Sequence, residues 1–174
     1  MERREHLMGT SSIDSRLGAL SRRQIVAVVG GGAETSRSVL GRAERTGELI
    51  ASLGLILVTG GKAGVMEAAS MGAARRGGLV IGLLPEANAR TANIFVGVPI
   101  ATGLGEARNA VVATCADAIV AIGGEYGTLS EIAHALKQSK PVLVFGKGWT
   151  DIPGICHVHN IGECRRALCH ALGG

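Results

Sequence analysis

Aromatic residues are nearly absent. The 174 residues include only Phe95, Tyr126, Phe145 and Trp149. A surface that stacks successive bases of single-stranded nucleic acid on aromatic rings is therefore excluded. Proline is also scarce, at four residues, and the glycines show no triplet period, which excludes collagen. No stretch reaches the ~18 consecutive apolar residues of a membrane helix, so no membrane partner is expected. The opening residues, Met1-Glu-Arg-Arg-Glu-His6, are charged and lack the apolar segment of a signal peptide. A cytoplasmic location is the resulting expectation. Four cysteines without a secretory signal point to reduced thiols, not to a disulfide framework.

What is abundant is aliphatic side chains and glycine. Apolar residues make up 47% of the chain, enough to fill a core and too many for a disordered polymer. Glycine occurs 27 times, about twice its usual share of ~7%. The length suits one domain. The net charge is +4. Part of it comes from Arg3, Arg4, Arg16, Arg22 and Arg23 near the N-terminus, which suits either a solvated basic tail or an anionic partner. Residues 1–23 lack periodicity and read as a tail or frayed helix. Residues 24–174 read as the domain.

Five short apolar runs have the length and composition of strands buried on both faces of a parallel sheet. They are Ile25–Val29, Leu55–Val58, Leu79–Leu84, Ala118–Ile122 and Val142–Phe145. Helical periodicity lies between them. Val39, Ala43, Gly47, Ile50 and Leu53 share one face, Val65, Met66, Ala69 and Ala73 another, and Leu129, Ile132, Ala133 and Leu136 a third. Alternating strands and helices predict an α/β fold, a three-layer Rossmann-like sandwich with a mostly parallel central sheet in a single domain. Residues 85–107 break the rhythm and read as a loop, with extended pieces at Ile94–Val96 and Pro99–Ala101. Cys156–His159 reads as a strand and Ile161–Leu172 as a terminal helix.

Three predicted strands run directly into glycine clusters. These are Gly30-Gly31-Gly32, Thr59-Gly60-Gly61-Lys62-Ala63-Gly64 and Gly123-Gly124-Glu125-Tyr126-Gly127-Thr128. In a parallel sheet all three emerge at the carboxyl edge, where open α/β folds bind ligands. Each precedes a helix, whose N-terminal amides attract anions. The candidate phosphate-binding set therefore comprises these glycines with Thr59, Val65, Met66, Glu125, Tyr126 and Thr128. Neither a Walker motif nor a dinucleotide fingerprint is present.

Two charged residues stand apart. Arg108 has Val111, Val112 and Cys115 at i+3, i+4 and i+7, which places it on an apolar stripe. An inward guanidinium needs an anionic partner, either a structural carboxylate or a bound phosphate. Glu131 closes the pattern Thr128-Leu-Ser-Glu131, which reads as a helix capping box. It lies off the third apolar face, which also leaves it available to solvent or a ligand.

Thr59–Ala68, Gly105-Glu-Ala-Arg-Asn109 and Gly123–Glu131 together resemble the SLOG superfamily of Rossmann-like nucleotide-binding proteins. The resemblance spans about residues 24–172. That superfamily includes molybdenum cofactor carrier proteins, Lonely-Guy-type phosphoribohydrolases once labelled lysine decarboxylases, and a DNA-processing protein. In the phosphoribohydrolases a P-G-G-x-G-T-x-x-E motif binds phosphate and supplies a catalytic Glu, and an Arg on the preceding helix assists. By position Gly127, Thr128 and Glu131 match that motif, and Arg108 matches the arginine. Gly123 stands in place of the proline, Glu125 in place of the second glycine, and Asn109 in place of a usual Lys. These departures favour the small stand-alone branch similar to the carriers.

The resemblance implies that a phosphorylated, nucleotide-like ligand is held at the glycine loops and Asn109. Molybdenum cofactor or a purine nucleoside monophosphate such as AMP would fill that role, with no cofactor otherwise required. The alternative is a phosphoribohydrolase cleaving the N-glycosidic bond of a nucleoside 5′-monophosphate, with Arg108 and Glu131 catalytic. A DNA-binding accessory role is the second alternative. The resemblance also implies a homo-oligomer, a dimer or tetramer. Cys156, His157, His159, Cys164, Cys169 and His170 crowd the C-terminus, but their spacings do not suit zinc and no metal site is expected.

Overall fold

The sheet is built from β1 (Ile25–Gly30), β2 (Ile56–Thr59), β3 (Val80–Leu84), β4 (Val98–Ala101), β5 (Ala118–Ile122), β6 (Val142–Phe145) and β7 (Ile155–Val158). Their spatial order is β4-β3-β2-β1-β5-β6-β7. Every neighbouring pair is parallel. The computed structural model describes residues 22–34, 36–146 and 148–173. The expected N-terminal tail lies outside these residues as far as position 21. Arg22 bonds Asp117 at 2.9 Å, and Asp117 also accepts the Ile25 amide, which fixes the start of the sheet.

The described residues contain five α-helices: α1 (Arg37–Ser52), α2 (Val65–Arg75), α3 (Arg108–Cys115), α4 (Tyr126–Lys137) and α5 (Ile161–Ala171). Strand alternation separates two cores. In β1, Val26 and Val28 join the cluster that holds Ala43 and Ile50 of α1, Ala69 of α2 and Leu168 of α5. Ala27 and Val29 join the cluster that holds Val112 of α3 and Ile132 of α4. The apolar runs are continuous because both sides of each central strand are covered. The result is the expected three-layer α/β sandwich, with a sheet that is parallel at every pairing. No described helix is long and apolar enough to cross a membrane.

Two local expectations are corrected. Ile94–Val96 is a turn, not an extended piece. Asn93 organises it, because its side chain takes the Phe95 amide and donates to the Lys62 carbonyl, while its amide bonds Gly61 O. The Pro99–Ala101 piece does form an edge strand, β4, along β3. The second correction concerns α4. Its buried face is Thr128, Glu131, Ile132 and Ala135, while Leu129 and Leu136 are half-buried and Ala133 is exposed. The helix is turned so that Thr128 rests on the backbone of Gly124, where a Cβ would lie only 2.1 Å from the Thr128 hydroxyl.

Glycine also sets how closely α1 and α2 approach. A Cβ on Gly47 would lie 1.9 Å from the Ala69 carbonyl oxygen, and one on Gly72 would lie 1.9 Å from Glu44 O. Backbone atoms cannot yield as a flexible side chain can, so each contact requires glycine. Gly47→Ala is expected to lower unfolding stability in urea by about 3 kcal/mol, the upper range for overpacking. Gly41→Ala, on the same helix with open space around it, should raise stability by roughly 0.5–1 kcal/mol through helix propensity.

Candidate functional site

The sheet changes winding direction between β1 and β5. The chain leaves β1 towards α1 on one face and leaves β5 towards α4 on the other. Diverging connections open a crevice at the carboxyl ends of the strands. The cleft there has a volume of about 700 Å³.

Eleven of the residues singled out in the sequence meet in this cleft. Gly30, Gly31 and Gly32 line it from the loop after β1, and Gly124 and Glu125 from the loop after β5. Gly127, Thr128 and Glu131 come from α4, Arg108 and Asn109 from α3, and Met66 from α2. The first amides of α4 lack helical acceptors and leave a positive helix end at the cleft.

The second glycine loop lies behind the first and braces it. Thr59 is fully buried, and its hydroxyl accepts the Gly61 amide at 3.0 Å. The Val65 amide bonds Gly31 O at 3.1 Å. Gly64, at φ +66, passes so close that a Cβ would sit 2.3 Å from that same oxygen. Thr59, Gly60, Gly61, Gly64 and Val65 therefore support the cleft without lining it. Gly123 and Tyr126 also fall outside it, and the Tyr126 ring is 85% exposed.

Ala33, Glu34 and Pro85 line the cleft without having been expected there, and Gly105 and Glu106, which the sequence supplied only as part of a motif, line it too. Pro85 directly follows β3, so it reaches the same sheet edge as the glycine loops. The Gly105 amide bonds Pro85 O at 2.9 Å, which closes the 85–105 excursion into the wall. A proline and a glycine at the two ends of an irregular segment were the available signal.

Arg108 opens α3 and is only 9% exposed. Val112 and Ala113 share its buried side, whereas Val111, placed on that stripe by spacing, is exposed. One guanidinium nitrogen donates to Leu83 O at 2.9 Å. Its Nε is buried and has no hydrogen-bond partner among the described residues. Burial pulls the guanidinium below its ordinary pKa, and the nearby carboxyls of Glu131 and Glu86 oppose that shift. Gly60 makes room for the group, since a Cβ there would lie 2.0 Å from a guanidinium nitrogen. Asn109, the next residue, bonds the Ser130 hydroxyl at 3.0 Å and so fastens α3 to α4.

Glu131 does not act as a cap. The N-cap of α4 is Glu125, without a side-chain cap bond, and Glu131 is 7% exposed on the inner face. The turned helix explains this, because Thr128 packs on Gly124 and carries Glu131 inward with it. Burial pushes its carboxyl up to about 8, with Arg108 pulling the other way. Burial thus favours the neutral carboxyl.

The C-terminal cysteines and histidines are dispersed. Cys164 is buried in the core, Cys156 is exposed on β7, and all four thiols are free. His157 bonds Gly146 O, and His159 bonds Glu163. The described residues hold no group of three His, Cys, Asp or Glu side chains placed for a metal ion.

Residues 23–163 match the model of the SLOG cluster4 family. The chain belongs to that family. This SLOG cluster4 member is 45% identical over 117 residues to an uncharacterised protein of Archaeoglobus fulgidus, spanning 67% of this chain and 76% of the relative. Among solved structures it is similar to the molybdenum cofactor binding protein of Rippkaea orientalis. That likeness has 35% identity and a TM-score of 0.81, over 87% of this chain and 98% of the other. It is also similar to the molybdenum cofactor carrier protein of Chlamydomonas reinhardtii, at 36% identity and a TM-score of 0.79, over 88% and 100% of the two chains.

The raised pKa of Glu131 has a consequence for the stability of this SLOG cluster4 member. The folded chain holds a proton that the unfolded chain releases near the usual 4.5. Its contribution is full below pH 4.5 and is lost as pH rises towards and through about 8. Relative to the native protein, Glu131→Gln should gain melting temperature steadily from pH 4.5 to about 8, with the difference levelling off above that. Parallel decline of the two proteins over that range would show Glu131 ionised throughout.

Proposed function

We propose that the protein binds a small phosphorylated, cofactor-like ligand in the switch-point cleft. The observation that carries this reading is Arg108, a buried cation with an unpaired Nε at the wall of the cleft. A phosphate suits it, because a guanidinium presents several donors in one plane and gains most where water is scarce. Burial of Glu131 supports the assignment, since it disfavours the ionised carboxylate that would oppose Arg108. Amides of the first glycine loop and of the α4 N-terminus supply the remaining donors.

The rest of the lining suits a ring with N–H groups. Glu106 and Glu125 stand in the same cleft and offer carboxylate acceptors. A second phosphate would be repelled there, whereas an amino-pyrimidinone edge would find partners. A pterin that carries one phosphate combines both features. The similar solved proteins of R. orientalis and C. reinhardtii are described as binding or carrying molybdenum cofactor. Molybdenum cofactor is thus our leading ligand, with a purine nucleoside monophosphate next. A volume of about 700 Å³ accommodates either.

Holding is favoured over cleavage of the ligand. Stabilising a ribosyl cation needs an ionised carboxylate, and burial disfavours ionisation of Glu131. Incubation with AMP at pH 7 should therefore release no adenine above background. Release that disappears in both Glu131→Ala and Arg108→Ala would replace the carrier reading with a phosphoribohydrolase.

Binding itself is tested by oxidising protein purified from cells that make the cofactor and measuring pterin fluorescence. The native chain should retain pterin, and Arg108→Ala should lose at least ~tenfold, the scale of a charge-assisted contact. Gly60→Ala should lose a similar amount while keeping its fold, because the added methyl meets only the ends of Arg108 and Met66. The reading fails if the protein carries no pterin and neither AMP nor phosphate raises its melting temperature.

A further inference from the structure

A second concavity, of about 500 Å³, is lined by α1 and by residues at the ends of β6 and β7. Arg37, Arg42 and Arg45 line it from α1, Phe145 from the end of β6, and Asn160 from the N-cap of α5. Gly162 also lines it, and the Arg166 guanidinium sits 3.7 Å from where a Cβ on Gly162 would lie. Three arginines of α1 thus line one pocket, and Arg166 lies beside it.

The acidic residues of these elements already have partners, and Glu163 lies beside the pocket, bonded to His159 and Asn160 of its lining. Glu44 and Glu48 of α1 pair with Arg75 and Arg76 of α2. Glu163 of α5 accepts bonds from the amide and ring of His159 and from the Asn160 side chain. Arg37, Arg42 and Arg45 have no ion-pair partner among the described residues. Helix α1 therefore sorts its charges, with anions turned to α2 and cations turned to the pocket. Arg42 is held in place by its position over the Phe145 ring, 5.2 Å from the centroid. Arginines on an exposed helix ordinarily find carboxylates at i±3 or i±4, and Glu48, at i+3 from Arg45, pairs with Arg76 instead.

The geometry points to a second anion site in this pocket, one that takes a compact polyphosphate group. Several guanidinium groups without an ion-pair partner match a ligand of several closely spaced negative charges. A protein carboxylate partner is the weaker match, since one carboxylate leaves the other cations unneutralised. Nucleic acid is disfavoured, because Phe145 is 5% exposed and offers no ring face for stacking. Two sources share this chemistry. One is a separate small polyphosphate. The other is a distal phosphate of a ligand that also fills the first cleft, since Glu34 of one site and Arg37 of the other are three residues apart, ~10 Å of chain at most.

The test titrates the full chain with inorganic tripolyphosphate by calorimetry. Arg37→Ala with Arg45→Ala removes two exposed cations without touching the Arg42–Phe145 contact, and should weaken binding at least tenfold. Arg75→Ala with Arg76→Ala removes the same charge from the paired side and should leave binding within about twofold. Arg108→Ala should also retain it, which separates this site from the cleft proposed above. Equal losses in both double variants would reduce the effect to net charge and overturn the site. So would absence of saturable binding, or loss in Arg108→Ala alone. If AMP and tripolyphosphate bind together, the polyphosphate is a separate ligand. If they compete while the Arg37/Arg45 dependence persists, one ligand spans both sites.

Discussion

A buried positive charge at the wall of a cleft constrains the rest of this molecule. Arg108 cannot enter the protein unless space, acceptors and charge balance are all provided. Gly60 supplies the space and Leu83 O one acceptor, while the carboxyls of Glu131 and Glu86 oppose the loss of its charge. Asn109 then ties the helix that carries Arg108 to the helix that carries Glu131. These pieces come from two strand ends and two helices that meet only because the sheet reverses its winding between β1 and β5. The position of the cleft is thus a consequence of topology, and its chemistry a consequence of how Arg108 is accommodated.

Much of the fold was legible because both faces of the sheet are covered. Ile25–Val29, Ala118–Ile122 and Val142–Phe145 needed no tertiary information, since two-sided burial leaves an unbroken aliphatic run. The glycine clusters were legible for a related reason. Backbone that must pass another strand end closely excludes a side chain, and composition records that exclusion. The sequence could not say which glycines face solvent and which face protein. Gly64 and Gly30 are required by protein backbone, whereas Gly31 and Gly32 have room in front of them. Both kinds look alike in the chain.

The helix faces were less legible because periodicity alone does not fix rotation. Leu129 and Leu136 drew the expected face of α4 to one side, but Thr128 on Gly124 turned it to the other. That one contact moved Glu131 from a surface cap to a buried acid. The irregular segment 85–107 failed for a different reason. Its order comes from Asn93 and from the Pro85–Gly105 closure, which are side-chain and long-range bonds without any periodic trace.

Charge sorting is the last consequence of the packing. The α1–α2 contact is so close at Gly47 and Gly72 that the facing positions admit only backbone. The flanking positions then carry the ion pairs, with Glu44 and Glu48 reaching across to Arg75 and Arg76. Once those acids are drawn to one side, the arginines of α1 are left on the other, over Phe145 and the start of α5. In the switch-point cleft the balance is reversed, with one buried arginine among rim carboxylates. The two concavities of the same sheet edge therefore differ in electrostatic character. The first suits a single phosphate attached to a donor-rich ring, and the second suits concentrated negative charge. Because α1 carries the arginines of one and follows directly from the glycine loop of the other, a ligand that orders that loop would also steady the arginine face beyond it.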